Sequence, residues 1–178
     1  MPEPGSYSAT CYRLIDLGTQ ESNYQGEKKY ARKVMIGFEL DEEMEDGKPF
    51  VVATTMTVSL HEKATLRKFL SGWRGRDFTP EELLGFDPHK LIGAPCLLSL
   101  VQKGDYVNVD TASKLPKGMN PHKLVNDTIF FSLDEFNQEA FDKLSDKLKE
   151  KIKASPEFQN RGSLDSIKSD NIDDDIAF

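Results

Sequence analysis

The chain has 178 residues, 38% of them hydrophobic and 30% charged, which is enough apolar material for one good core plus appendages and makes a single domain the expectation. Its formal charge of -7 excludes a nucleic-acid binder with evenly spread basic charge, so the distribution of charge matters more than the total. No apolar run approaches the ~20 residues of a membrane span, and Met1-Pro2-Glu3-Pro4-Gly5 carries neither a basic nor an apolar leader region. Six acids against Arg161 and Lys168 give residues 154–178 a charge of -4, which leaves the body near neutral. Positive charge in the body clusters at Lys28-Lys29 with Arg32-Lys33, and at Arg74 with Arg76. Cys11 and Cys96 sit in apolar surroundings without Cys-x-x-Cys spacing, as small core hydrophobes in a reducing compartment do, so the expected location is cytoplasmic.

In chain order, Ala9 to Leu17 reads as a first strand, stopped by Gly18 and a polar loop through Asn23. The second strand runs from about Lys28 to Leu40. Tyr30, Arg32, Val34, Ile36, Phe38 and Leu40 fall on its core face, and Lys29, Ala31, Lys33, Met35 and Glu39 on the other. Asp41 to Gly47 is an acidic turn, and Phe50 to Leu60 alternates as a third strand. Ser59-Leu60-His61-Glu62 has the form of a capping box, and Leu66, Phe69, Leu70 and Trp73 follow at helical spacing. A second capping box, Thr79-Pro80-Glu81-Glu82, opens a short helix closed by Gly85. Cys96 to Gln102 and Tyr106 to Ala112 form a hairpin about Lys103-Gly104-Asp105, and Leu115-Pro116-Lys117-Gly118 breaks the pattern.

Three strands, a helix and a two-stranded hairpin follow the element order of an OB-fold. The fold class expected is therefore mainly β, a five-stranded barrel over residues 1–118 with inserted helices. Residues 119–156 read as a connector and an amphipathic helix from Ser132, with Phe136, Ala140, Leu144, Leu148 and Ile152 on one stripe. That stripe must be buried on the barrel or against another copy of the chain, which admits a homo-oligomer. From residue 157 the composition is too polar to pack, and 157–178 reads as a disordered tether. The tether ends in Asp173-Asp174-Asp175-Ile176-Ala177-Phe178, an acidic and hydrophobic hook that a partner would take with an apolar pocket and a basic rim.

Base stacking needs exposed aromatic faces beside cations that reach phosphates, each stacked base being worth ~1–3 kcal/mol. The first two strands supply Tyr12, Tyr24, Lys28, Lys29, Tyr30, Arg32 and Lys33 as candidates, although Tyr30 and Arg32 share parity with the core face. Arg74 and Arg76 flank Trp73, itself part of the helical core stripe; Arg76 could equally pair with Asp77 or Glu81. Lys103 and Tyr106 occupy the final hairpin. No catalytic constellation is present: His61, His89 and His122 are scattered, His61-Glu62 lacks the second His of a zinc helix, and there is no Gly-rich phosphate loop. Neither an enzyme, a cofactor nor a metal is expected.

The terminal hook resembles the C-terminal tip of bacterial single-stranded DNA-binding proteins, Asp-Asp-Asp-Ile-Pro-Phe, with Ala177 in place of Pro. Losing Pro adds a backbone N–H and freedom before Phe178 while keeping the charge and the ring. The segments Cys11-Tyr12-Arg13-Leu14-Ile15-Asp16-Leu17-Gly18, Ser59-Leu60-His61-Glu62-Lys63-Ala64, Trp73-Arg74-Gly75-Arg76 and Glu82-Leu83-Leu84-Gly85-Phe86-Asp87 resemble a family of small phage and prophage single-stranded DNA-binding proteins. The resemblance implies a barrel that coats single-stranded DNA, and a tip, Asp173 to Phe178, that recruits replication, recombination and repair enzymes. The rival expectation is an adaptor or inhibitor that engages a host DNA-processing enzyme through the tail without binding DNA.

Overall fold

The fold is a computed structural model described over residues 1–161; the hook at Asp173–Phe178 lies outside the described residues. It is mainly β, built on six strands: β1 (Gly5–Tyr24), β2 (Glu27–Glu43), β3 (Pro49–Thr57), β4 (Pro95–Lys103), β5 (Tyr106–Ser113) and β6 (Ile129–Phe131). Antiparallel pairing gives the order β3-β2-β1-β4-β5, and β6 joins β1 in parallel. One edge of β1 is divided, Gly5–Thr10 pairing with β4 and Arg13–Ile15 with β6. The sheet is not closed: β3 and β5 approach each other without forming a ladder.

The first hairpin is longer than its sequence pattern implies. Gly18 does not stop β1; at φ +70° it sits beyond a register shift, and its N–H donates to the Asp16 carboxylate at 3.0 Å. The strand then continues to Tyr24, where Gln25 (φ +52°) and Gly26 (φ +81°) make the two-residue turn whose positive φ values match strand twist.

The main core lies on the inner face of the sheet. Leu14, Val34, Ile36, Phe38 and Leu40 are fully buried there, each contributing roughly 1.5–3 kcal/mol by removal from water. They pack against α1 (Thr65–Arg74), which presents Leu66, Phe69, Leu70 and Trp73 as its spacing requires. The Phe38 ring lies 5.3 Å from Trp73 and 6.1 Å from Phe69, and the Trp73 indole donates to the Pro95 carbonyl at 2.9 Å. Helix and sheet meet closely at Gly72, where a Cβ would stand 2.8 Å from the Ala112 carbonyl oxygen. The Ser59–Glu62 box does not start this helix: Ser59 accepts from the His61 N–H within a turn, and α1 begins after Ala64. The Thr79 box is formed in full at α2 (Pro80–Leu84), and a 3-10 turn follows at Pro88–Leu91.

A second core covers the opposite face of β1. Ile15 and Leu17 meet Phe131, Leu133, Phe141, Leu144 and Ile152. The single helix expected from Ser132 to before Ser155 is instead two, α3 (Gln138–Asp142) and α4 (Asp146–Lys153), and a third, α5 (Pro156–Gln159), follows beyond its expected end. Asn137, Ser145 and Ser155 each accept a backbone N–H as N-caps, so the chain starts a helix three times while keeping one apolar stripe on the sheet. Residues 157–161 are likewise packed rather than part of a tether. The Glu157 carboxylate accepts from the Thr19 N–H at 2.8 Å and from its hydroxyl, and the Arg161 guanidinium lies over the Phe136 ring at 3.8 Å. Among the described residues no helix is long and apolar enough to cross a membrane.

Candidate nucleic-acid interface

The free end of the β1–β2 hairpin carries the exposed aromatics, Tyr24 at 62% and Tyr30 at 66%. Strand alternation separates them: Tyr24, Lys29 and Lys33 belong to one face of the ribbon, Lys28, Tyr30 and Arg32 to the other. The contacts agree with that division. Lys29 Nζ lies 5.5 Å from the centroid of the Tyr24 ring, whereas Lys28 reaches Glu21 at 3.4 Å. Tyr24 with Lys29 is thus an exposed aromatic face beside a cation, the arrangement that stacks a base and draws its phosphate.

Two of the candidates lie inside the fold. Tyr12 is buried, with the Arg13 guanidinium 5.4 Å from its ring centroid, so neither face is open to a base. Arg32 is bound by the fully buried Asp16, through Nε at 3.1 Å and Nη2 at 2.5 Å, and reaches Asp134 at 3.2 Å. Burial opposes its charge, but the Asp16 and Asp134 contacts outweigh it and hold the guanidinium firmly cationic. Asp16 also accepts the Leu133 N–H at 3.0 Å, so this buried pair ties the hairpin base to the second core.

Arg74 and Arg76 converge on one carboxylate, Glu82, and not on Asp77 or Glu81. Asp77 goes to Arg67, whose hydrogen bonds, with the Phe78 N–H, lower its carboxyl to about 2. Glu82 is held below the usual glutamate range mainly by the Thr79 N–H and hydroxyl, with the two arginines adding charge. Both arginines line a cleft of about 630 Å³ with Trp73, Phe86, Lys90 and Lys114. Lys103 and Tyr106 are exposed at the β4–β5 turn, Tyr106 at 71%. They stand on a different hairpin from Tyr24.

Three features escape the sequence pattern. Glu39, on the face expected to meet solvent, is fully buried under residues 119–128. Burial pushes its carboxyl up, but the Asn126 and Val125 N–H groups, the His122 ring and the Asn126 side chain outweigh it and hold it down. Arg13 lies across Gly37, where a Cβ would meet its side chain at 2.5 Å, so the outer face of β2 is partly roofed. His61 and Lys63 line a depression beside Lys33, brought there because the turn after β3 does not start a helix. Burial raises the Cys11 and Cys96 thiols to about 12, which leaves them as inert core groups. Among the described residues no group of three His, Cys, Asp or Glu gathers to hold a metal.

No protein-family model matches the chain, and no curated protein matches it either.

Proposed function

We propose that this chain is a single-stranded DNA-binding protein of the phage type, coating single strands and recruiting replication, recombination and repair enzymes through Asp173–Phe178. The observation that carries the reading is the Tyr24–Lys29 platform on an extended hairpin of a chain whose formal charge is -7. The strand order supports it. An OB-fold also shares its first strand between the second and fourth and sets a helix between the third and fourth; here that order is open at the β3–β5 seam. The hook adds a charged and aromatic element of the kind that basic, apolar-floored pockets capture.

Fluorescence anisotropy of a labelled oligothymidylate tests this with the full-length protein at two salt concentrations. Saturable binding, stronger than to duplex and weakening by about 0.7 in log K per phosphate contact for each decade of salt, is the expected result. Deleting 170–178 should tighten DNA binding by removing an intramolecular acidic competitor, and should abolish capture of partner enzymes. Absence of binding at low salt, with and without the tail, would leave the hook as the functional element. That outcome would support the adaptor reading, which the engagement of Arg32, Arg74 and Arg76 by carboxylates favours.

A further inference from the structure

The depression at the far end of the Tyr24 face has a composition unlike the rest of this acidic chain. It measures about 550 Å³ and is lined by Lys33, Thr57, Ser59, His61, Lys63 and Thr65 among others, with no carboxylate in its wall among the described residues. Lys33 Nζ donates to the Thr57 hydroxyl at 2.7 Å, which fixes the ammonium at the rim. His61 and Lys63 are exposed on the turn that follows β3, and Glu62 between them does not line the depression. Cations and hydroxyls without a competing acid make a site for a phosphate. By contrast, the larger cleft near Trp73 contains Glu82 and Asp87, which already occupy Arg74, Arg76 and His89.

Its position gives the site a direction. Lys33 lies on the same face of β2 as Lys29, four residues along the strand or about 13 Å away. The hairpin pair Gln20 and Ala31 lies between, and the Gln20 amide donates to the Lys151 carbonyl at 2.8 Å, so the end of α4 flanks this face with an exposed lysine. Beyond Lys33 the outer row of β3, Val51, Ala53, Thr55 and Thr57, is exposed and uncharged. Nothing acidic lies in that row to repel a strand. The opposite face of the hairpin instead leads from Tyr30 to Arg32, whose guanidinium is already taken by Asp16 and Asp134.

We propose that a single strand crosses the Tyr24–Lys29–Lys33 face and sets one backbone phosphate in the Lys33–His61–Lys63 depression. The proposal rests on the single-strand reading and specifies its route: Lys63 and His61 become contact residues, and Tyr24, not Tyr30, is the stacking platform.

The test is anisotropy of labelled oligothymidylate over a salt series with full-length parent, Lys63→Gln, Lys33→Gln, Thr57→Val, Tyr24→Ala, Tyr30→Ala and, as a control on the β2–β3 turn, Lys48→Gln. Each depression lysine should weaken binding about threefold and shallow the log K against log salt slope by about 0.7, while Lys48→Gln changes neither. Tyr24→Ala should weaken binding about tenfold without altering the slope, and Tyr30→Ala should do less. Unchanged slopes for both lysine variants, or a larger loss for Tyr30→Ala than for Tyr24→Ala, would overturn the route while leaving the parent's DNA binding intact. No binding by the parent would overturn the single-strand reading and this route with it. Inorganic phosphate, followed by 31P line broadening without DNA, separates the source of the anion. Lys63-dependent broadening with an unchanged oligonucleotide slope would mean a free-anion pocket, and would also overturn the proposal.

Discussion

The two ends of the β1–β2 hairpin are made of the same two strands and have opposite fates. At the base both faces are covered: Leu14 and Ile36 face the main core, and Ile15 and Met35 face the second. Thr19 and Gln20 are still held by Glu157 and the Lys151 carbonyl; beyond them Tyr24, Lys28, Lys29 and Tyr30 stand in solvent. The contrast shows where the chain's cations are committed. Arg32 and Arg13 are absorbed by the Asp16 carboxylate and by packing on Gly37, whereas among the described residues Lys29 meets a tyrosine ring and Lys33 a hydroxyl. Arg32 and Lys33 are neighbours, paired with Thr19 and Gly18, so the division follows the face of the ribbon: cations on the Arg32 face are held by carboxylates, and those on the Tyr24 face stay available for a ligand.

That contrast can be broken from either end. The largest effect is expected from Phe38→Ala, which opens a cavity between β2 and α1 and should cost about 3–5 kcal/mol in chemical denaturation. Next is Glu39→Ala, which leaves the Val125 and Asn126 N–H groups without their acceptor and should cost about 1–3 kcal/mol. The same carboxylate sets a pH dependence. Its folded pKa lies below the ordinary 4.5, so its contribution is full above that value and is lost as pH falls through the depressed folded value. An acid titration of stability should therefore lose its Glu39 component in the Glu39→Ala variant; an identical acid slope in both would refute the assignment. The smallest effect belongs to Arg76→Gln, an exposed partner in a shared ion pair, expected to change stability by no more than about 0.5 kcal/mol.

Local patterns were readable in the sequence wherever one element determines its own form. The alternation of Val34, Ile36, Phe38 and Leu40, the stripe of α1, the Thr79 box and the core placement of Trp73 all needed only neighbours within a few residues. What stayed hidden depended on distant partners. Gly18 resembles a strand end unless the Asp16 carboxylate that receives its N–H is known. Ile129–Phe131 is too short to read as a strand without β1 to pair with, and Glu39 has the parity of a solvent-facing residue until residues 119–128 cross above it. The helix from Ser132 failed for a local reason: Asn137 and Ser145 are better N-caps than helix-interior residues, and the apolar period alone did not weigh that. In the candidate site, the exposed Tyr24 and Lys29 were legible, but their separation from Tyr30 onto another face required the register of the turn at Gln25-Gly26.

Photocrosslinking shows directly whether the hairpin tip and its Lys33 face form a single-strand interface. Oligothymidylate carrying 4-thiothymidine would be irradiated with the full-length protein at saturation, and the adducts mapped by mass spectrometry. Adducts are expected at Tyr24 and within 27–33 and 57–65. Adducts confined to the cleft around Trp73 and Phe86, or none in the hairpin, would contradict it.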